Sequence, residues 1–280
     1  MNALEINELC KSYDSFSLDH VNLTLPSGCI MGLIGENGAG KSTTIKLILD
    51  MIKRDSGSVT ILGRDNGDNI TLTKEDLGVV LDEVGISGSL TGKNIDRIMK
   101  NTYKNWDSGV FRDYLKRFSL PEDKKFKDFS RGMKMKMGLA IALSHNPKLL
   151  ILDEATSGLD PVVRDEVIDI FCDFTRNENH AILISSHIVS DLEKICDYIA
   201  FLHKGHILLC QERDRLYEQY VIIRCDEKAL ADIPSSAVIG KKSSGYGVEA
   251  IVDRDSVPRG IDVSPIDIEQ LFIFMVKEAV

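Results

Sequence analysis

The chain has 280 residues, room for one large domain and a small appendage, and 43% of them are hydrophobic. That share, beside 28% charged residues, excludes disordered, collagen-like and disulfide-knot proteins. The 34 basic residues against 43 acidic ones give a net charge of −9, so nucleic acid is not an expected partner.

The cysteines and the apolar runs indicate a cytosolic protein. The six cysteines lie far apart with no C-x-x-C pair, which predicts reduced, mostly buried thiols and neither a zinc site nor a disulfide framework. The longest apolar runs fall well short of the roughly 20 residues that span a bilayer. The first ten residues lack the basic flank and apolar core of a secretion signal.

The first 62 residues predict strands around one glycine-rich loop and one helix. Residues 4–9 and 16–25 alternate apolar and polar side chains, and 29–34 form the continuous apolar run of a buried parallel strand. Apolar residues then recur at helical spacing over 41–52, and residues 58–62 alternate again as a strand.

The middle of the chain predicts an inserted helical subdomain followed by alternating strands and helices. Residues from about 90 to 146 have the pattern of amphipathic helices. Apolar strands follow at 149–152 and 181–185, with a helix between them that Asp160 caps and Pro161 opens. This alternation predicts an α/β fold with a parallel sheet flanked by helices. A hairpin is expected over residues 198–209.

A change of pattern near residue 213 predicts a second, smaller unit. Residues 220–224 and 247–252 read as strands, and residues 267–276 read as a helix. We therefore expect one domain over 1–213 and a small C-terminal α+β appendage over 214–280.

One glycine-rich segment has the pattern of a phosphate-binding loop. Gly35-Glu-Asn-Gly-Ala-Gly-Lys-Ser42 fits G-x-x-x-x-G-K-[ST] and lies between a predicted strand and a predicted helix, as that pattern requires. Its backbone N–H groups and the positive end of the helix favour an anion. We expect Lys41 to reach the β- and γ-phosphates of a nucleotide and Ser42 to bind Mg²⁺.

A second motif supplies carboxylates for the same site. Leu149-Leu-Ile-Leu-Asp-Glu154 is an apolar strand that ends in two acids. Neighbouring side chains on a strand point to opposite sides, so we expect the two acids to differ in role. Asp153 would hold Mg²⁺ or its water, and Glu154 would orient or deprotonate the attacking water.

With four further stretches, residues 3–212 resemble the ATP-binding subunit of an ATP-binding-cassette (ABC) transporter. Phe129-Ser-Arg-Gly-Met133 resembles the L-S-G-G-Q signature, and Ser157-Gly-Leu-Asp160 resembles the loop after the second motif. Ser185-Ser-His187 matches the switch histidine, and Tyr13 stands where the family stacks a ring on adenine. The resemblance implies an ABC-type P-loop NTPase fold with an antiparallel β subdomain.

The resemblance also implies a site shared by two chains, because ABC cassettes pair head to tail around two ATP molecules. The partner's Ser130 and Gly132 would contact the γ-phosphate, while Lys41, Glu154 and His187 would be catalytic. Metal ligands would be Ser42, Asp82 and Asp153. The implied nucleotide contacts are Tyr13, Gly35, Glu36, Asn37, Gly38, Ala39, Gly40, Lys41, Ser42, Thr43, Ser130, Arg131 and Gly132.

Two positions depart from the family pattern. Asp82, or Glu83 if the alignment is shifted by one residue, stands where the family usually has Gln, and it adds a negative charge beside the phosphates. Arg131 replaces the first glycine of the signature. It either supplies charge to the opposed nucleotide or points away from it. Similar Ser-Arg-Gly-Met variants resemble those of some bacterial exporters, which favours export.

The resemblance implies an ATPase that uses ATP and Mg²⁺ and drives a separate integral membrane permease. A second ATPase subunit, either a copy of this chain or a paralogue, would complete the ATP sites. The permease would hold this chain on the inner face of the membrane. Two alternatives are a non-transport ABC ATPase of DNA repair, chromosome organisation or translation, and a GTP-dependent switch. Non-transport ABC ATPases usually carry a long coiled-coil insertion or two cassettes in one chain, and neither fits this sequence. For a GTP-dependent switch, the sequence lacks the Asn-Lys-x-Asp motif that recognises guanine.

Overall fold

The computed structural model describes residues 1–67, 74–82, 84–156, 158–244 and 247–278. Its strands are β1 Asn2–Tyr13, β2 Phe16–Pro26, β3 Ile30–Ile34, β4 Ser56–Ile61, β5 Arg64–Asp65, β6 Leu77–Val80, β7 Leu149–Asp153, β8 Ala181–Ser186, β9 Tyr198–His203, β10 His206–Glu212, β11 Tyr220–Cys225, β12 Val238–Ser244, β13 Gly247–Asp253 and β14 Val263–Pro265. Its α-helices are α1 Lys41–Ile48, α2 Gly92–Thr102, α3 Ser108–Arg117, α4 Arg131–Leu143, α5 Pro161–Thr175, α6 Val189–Ile195, α7 Arg213–Gln219, α8 Glu227–Ala231 and α9 Ile268–Glu278.

The central sheet has the order β10-β9-β3-β8-β7-β6 and is parallel except for its β10 edge. Residues 30–34, 149–153 and 181–186 are buried throughout, as their continuous apolar runs predict. Leu33 and Asp153 both pair with Ser185 of β8. The carboxyl ends of three strands therefore meet at one edge, where ligands bind in open α/β sheets.

An antiparallel sheet of order β2-β1-β4-β5 packs beside this parallel sheet. The two share one apolar core, which includes Leu4 and Leu25 from the antiparallel sheet and Leu33 from β3. The hairpin of β1 and β2 pairs Tyr13 with Phe16 at its tip. This arrangement confirms the predicted antiparallel β subdomain.

The predicted helical subdomain contains α2, α3 and α4. Each helix begins at a polar cap, because the side chains of Thr91, Asp107 and Ser130 accept hydrogen bonds from backbone N–H groups of the following turn. Trp106 packs against the fully buried Phe111, with ring centroids 5.1 Å apart. The apolar pattern thus correctly predicted the helices and the core that they share.

Helix α1 is shorter than the predicted range of 41–52. It ends at Ile48 because the buried Asn66 side chain donates hydrogen bonds to the carbonyls of Leu47, at 2.7 Å, and Ile48, at 2.9 Å. Asp50 then takes a left-handed φ of 49°. A residue distant in sequence sets this boundary, so the local pattern did not reveal it.

The expectation of mostly buried cysteines was wrong. All six are free thiols, but only Cys196 is buried, and burial raises the pKa of its thiol well above the usual value. Cys172 and Cys210 are exposed. In the described ranges no helix has the length and apolar character needed to cross a bilayer.

The C-terminal residues form a sheet of order β12-β13-β11-β14 with α8 and α9. Helix α9 lies against the central sheet, where the rings of Phe272 and Phe201 have centroids 5.1 Å apart. Glu193 of α6 accepts hydrogen bonds from Tyr217 Oη at 2.6 Å and from the Ile268 N–H at 3.1 Å. The division into 1–213 and 214–280 stays a prediction.

We predict that Phe201→Ala lowers the free energy of unfolding by about 3–5 kcal/mol, because Phe201 is fully buried between the central sheet and α9. Denaturant unfolding measures this change. Val162→Ala is the matched control, since Val162 is 80% exposed, and we expect a change within about 0.5 kcal/mol. A loss below about 1 kcal/mol for Phe201→Ala would show that this contact is not part of the core.

Candidate nucleotide-binding site

The glycine-rich loop connects the end of β3 to the start of α1. Gly40 caps α1 with a φ of 115°, and a Cβ placed there would lie 2.7 Å from Leu18 and 2.8 Å from Phe16. Only glycine meets both constraints. The free N–H groups at the start of α1 lie next to the loop. The first turn of α1 contains no acidic residue, so no carboxylate offsets the positive end of the helix there. This geometry is that of an anion-binding loop.

The Lys41 ammonium lies inside this loop. Its Nζ donates a hydrogen bond to the Gly35 carbonyl at 2.7 Å and another to the Glu36 carbonyl at 3.3 Å. The same atom is 3.5 Å from Oε1 of Glu154. Because Lys41 is only 6% exposed, its charge is directed at the loop rather than at bulk solvent.

The carboxylates of Asp153 and Glu154, at the end of β7, have different surroundings, as predicted. The predicted reason, alternation of side chains along a strand, is not the cause, because Glu154 lies beyond the strand. Asp153 is buried and accepts a hydrogen bond from Ser185 Oγ at 2.5 Å. Glu154 lies just beyond the strand with a left-handed φ of 54°, and its N–H donates to the Ser185 carbonyl at 3.1 Å. A left-handed residue, rather than strand alternation, therefore separates the two carboxylates.

Glu154 lies between a lysine and a histidine. Its Oε1 is 3.5 Å from Lys41 Nζ, and its Oε2 is 2.7 Å from Nδ1 of His187, which follows β8. The Glu154 side chain is 14% exposed and that of His187 is 47% exposed. The structure thus brings together the three residues that the resemblance implies to be catalytic.

Asp82 and Arg131, the two departures from the family pattern, contact each other. The Arg131 Nη2 donates to Asp82 Oδ1 at 2.8 Å, and both side chains are more than half exposed. A Cβ placed on Gly158 would lie 3.3–3.6 Å from the Arg131 side chain. Arg131 thus lies beside Gly158 and reaches Asp82 of its own chain. Glu83 and Ser157 lie outside the described residues.

These residues surround a cleft of about 590 Å³. Its lining is Ser15, Phe16, Glu36, Asn37, Gly38, Gly40, Lys41, Ser42, Thr43, Asp82, Arg131, Glu154 and His187. Most of the predicted nucleotide contacts are in this set. The cleft is open and polar, which suits a charged ligand.

Six of the predicted site residues do not line the cleft. Gly35, Ala39 and Asp153 are buried behind it. Tyr13 is 48% exposed and has Lys11 Nζ 5.6 Å above its ring. The remaining two, Ser130 and Gly132, line a separate depression of about 400 Å³ at the start of α4, which Arg131 also lines.

Sequence reasoning missed three residues near the cleft. Ser15 and Phe16 line it, and Phe16 is the cross-strand partner of Tyr13, so aromatic residues on both sides of the hairpin turn were an available signal. The buried His203 of β9 has Nδ1 3.3 Å from the Glu36 carboxylate. No local pattern marked His203, because its contact joins β9 to the loop after β3.

A cavity of about 870 Å³ in the C-terminal unit is larger than the cleft. Its lining includes Leu230, Ile233, Val238 and Lys241, and the described residues around it include neither a glycine-rich loop nor an ion pair between a lysine and a carboxylate. Chemistry rather than volume therefore identifies the cleft as the candidate site.

Comparison with known proteins agrees with this geometry. A family model described as ABC transporter matches residues 18–157. The bacitracin transport ATP-binding protein BcrA of Enterococcus faecalis is 33% identical over 84% of this chain and 78% of its own length. The lantibiotic transport ATP-binding protein SrtF of Streptococcus pyogenes is 37% identical over 75% of this chain and 91% of its own length.

Solved structures show the same fold. One, an ATP-binding subunit of an ABC transporter, gives a TM-score of 0.71 at 26% identity, over 77% of this chain and 92% of that chain. Another is a dimeric ATP-binding cassette in a post-hydrolysis state bound to ADP and phosphate. It gives a TM-score of 0.67 at 20% identity, over 75% of this chain and 98% of that chain. The chain therefore belongs to the ABC transporter family, as an ATP-binding subunit whose hydrolysis of ATP drives transport.

Proposed function

We propose that Lys41, Glu154 and His187 carry ATP hydrolysis in a cleft that a second cassette completes. The contact of Glu154 with both Lys41 and His187 at the phosphate loop is the observation that supports this most strongly. A carboxylate whose position is fixed beside a phosphate loop can take a proton from an attacking water. In this proposal Lys41 and the loop amides neutralise phosphate charge, and His187 holds Glu154 in position.

The residues around the cleft fit a magnesium ion. Ser42 and Asp82 present oxygen atoms to the cleft, and Asp153 lies behind it with one carboxylate oxygen bound to Ser185 Oγ. Mg²⁺ prefers such ligands and usually keeps several waters, which suits contact with Asp153 through water. When bound, Mg²⁺ would neutralise negative charge on the phosphates.

The position of the signature residues supports a site shared by two chains. Ser130 and Gly132 do not line their own chain's cleft, and Ser130 caps α4 through the Met133 N–H. The start of α4 is thus available to an anion from outside the chain. Because the chain contains every motif of the site, two copies would make two equal sites, although a paralogue fits the same geometry.

We also propose a role for the contact between Asp82 and Arg131. An ion pair this exposed is worth about 0.2–1 kcal/mol, so phosphate or metal can displace it readily. In the proposal the pair holds while the cleft is empty of nucleotide and separates as the cassettes close. Asp82 then turns to the metal, and Arg131 turns to the opposed nucleotide.

The remaining proposals concern the transporter as a whole. We propose a separate membrane permease that docks near residues 82–91, in the groove between the central sheet and the helical subdomain, and holds the chain at the inner face of the membrane. The Ser130-Arg-Gly-Met133 variant and the similarity to proteins named for bacitracin and lantibiotic transport favour an exporter. Within the described ranges the longest α-helix has 15 residues, which argues against a coiled-coil DNA-repair type of ATPase.

We predict that Glu154→Gln slows phosphate release by about 10²–10⁴-fold while leaving ATP bound, because the amide cannot accept a proton. The trapped nucleotide should hold two chains together, and gel filtration with Mg-ATP measures the resulting dimer. The exposed Glu178, changed to Gln, is the matched control and should behave like the unaltered chain. An exclusively monomeric Glu154→Gln chain under these conditions would count against the shared site.

We predict that Lys41→Ala abolishes hydrolysis, because it removes the only cation that the described residues place inside the phosphate loop. Phosphate release and the binding of a fluorescent ATP analogue measure the effect. Lys46→Ala is the control, since Lys46 is exposed one turn further along α1. Undiminished phosphate release from Lys41→Ala would refute the assignment of the loop.

We predict opposite effects for the two partners of the ion pair on Mg-ATP affinity of the single chain. Arg131→Gln frees Asp82 and should tighten binding by up to about fivefold, which corresponds to about 1 kcal/mol. Asp82→Asn should weaken binding, and Arg131→Gln added to it should bring no gain. If Arg131→Gln instead weakens binding equally in both backgrounds, Arg131 contacts the nucleotide of its own chain and the pair has no such role.

A further inference from the structure

Three side chains of the β1–β2 hairpin converge at a place that the nucleotide cleft does not include. Cys10 comes from β1, and Asp19 and His20 come from β2, and one ligand atom of each lies within 4.8 Å of the others. We call these three residues the hairpin cluster. None of them lines the cleft or belongs to the motifs discussed above.

Irregular backbone explains how neighbouring residues share one side of the hairpin. In a regular strand Asp19 and His20 would point to opposite faces. His20 has a left-handed φ of 47°, and the pairing register of β1 shifts between Leu9 and Lys11, on either side of Cys10. Such bulges re-aim side chains, and here they bring sulfur, nitrogen and oxygen atoms together.

The contacts within the cluster suit metal binding. His20 Nδ1 is 2.6 Å from Asp19 Oδ1, and the His20 N–H donates to Cys10 Sγ at 3.3 Å. Two further donors lie at the edge: Glu8 Oε2 is 3.9 Å from His20 Nε2, and His206 Nδ1 is 3.7 Å from Asp19 Oδ2.

The charge balance around the cluster favours a cation. Across the described ranges, the carboxylates of Glu8 and Asp19 have no Lys or Arg nitrogen within 4.0 Å, and their ion-pair partners are histidines. Histidine carries a full charge only when it is protonated. Lys11, the nearest lysine in sequence, pairs with Asp55 at 2.7 Å. The negative charge of the two carboxylates therefore lacks a fixed counter-charge.

We infer that the hairpin cluster binds one divalent transition-metal ion of the Zn²⁺ class through Cys10 Sγ, an Asp19 oxygen and a His20 ring nitrogen. A set of sulfur, nitrogen and oxygen ligands matches Zn²⁺ and its neighbours, whereas Mg²⁺ prefers oxygen alone. The Cys10 thiol releases its proton on binding. Glu8, His206 or water fills the fourth position. The cysteine spacing did not indicate this site because its ligands come from two paired strands.

Cobalt tests the site directly in the full-length chain, stripped of metal and kept free of nucleotide. Titration with Co²⁺ should give one equivalent bound with a thiolate-to-metal absorption band in the near ultraviolet, and Zn²⁺ should abolish the band by displacement. An all-oxygen site at the cleft gives no such band. Cys10→Ser should remove the band. His20→Gln should weaken Zn²⁺ binding, measured against a chromogenic chelator, by about tenfold or more.

Cys172→Ser is the matched control, because Cys172 is an exposed thiol on α5 remote in sequence from the hairpin. Partial burial, and then the charges of Asp169 and Asp173, raise the pKa of Cys172, which makes it a poorer metal ligand. We expect an unchanged band in this variant. No thiolate band in the unaltered chain, or a band that persists in Cys10→Ser, would overturn the inference. Since Cys10 and His20 are not buried, we expect both cluster variants to fold, and circular dichroism checks this.

Discussion

The arrangement of the cleft depends on the contact of the Glu154 carboxylate with Lys41 and His187. Glu154 can meet Lys41 and His187 only because β3, β8 and β7 are parallel neighbours whose carboxyl ends lie at one edge. Each strand is buried along its whole length, so its position is fixed by packing on both faces. The left-handed conformation of Glu154 then turns its side chain into the cleft. A rigid sheet thus fixes the position of this carboxylate more firmly than a loop alone would.

The arrangement around this edge is the basis for proposing that two chains share the site. The cleft contains the glycine-rich loop, the Glu154 carboxylate and the His187 imidazole, whereas Ser130 and Gly132 at the start of α4 line a separate depression. In the proposed shared site, this helix end would complement the cleft of another chain. The hairpin cluster is separate from this chemistry, since its sulfur-containing ligand set differs from the oxygen ligands around the cleft.

Sequence reasoning worked where a local pattern has a single structural meaning. The glycine-rich loop between a strand and a helix, the buried strands, and the Asp160 cap with Pro161 at the start of α5 follow from short-range rules, and the structure contains all of them. It failed where distant residues decide. Asn66 ends α1 by binding its last carbonyls, and Arg131 pairs with Asp82 across 49 positions of sequence. The hairpin cluster depends on a register shift that alternation does not reveal.

Complementation between two inactive variants tests the shared site most directly. Lys41→Ala removes the cation from the phosphate loop, and Gly132→Glu would place a carboxylate against the opposed nucleotide. Gly132→Glu should still fold, because a Cβ at this position makes only ordinary contact and the first turn of a helix tolerates an acidic residue. Each variant alone should be inactive. An equal mixture should regain up to about a quarter of the normal rate, because half of the dimers then contain one intact site. Full activity of Gly132→Glu alone, or no recovery in the mixture, would contradict a site built from two chains.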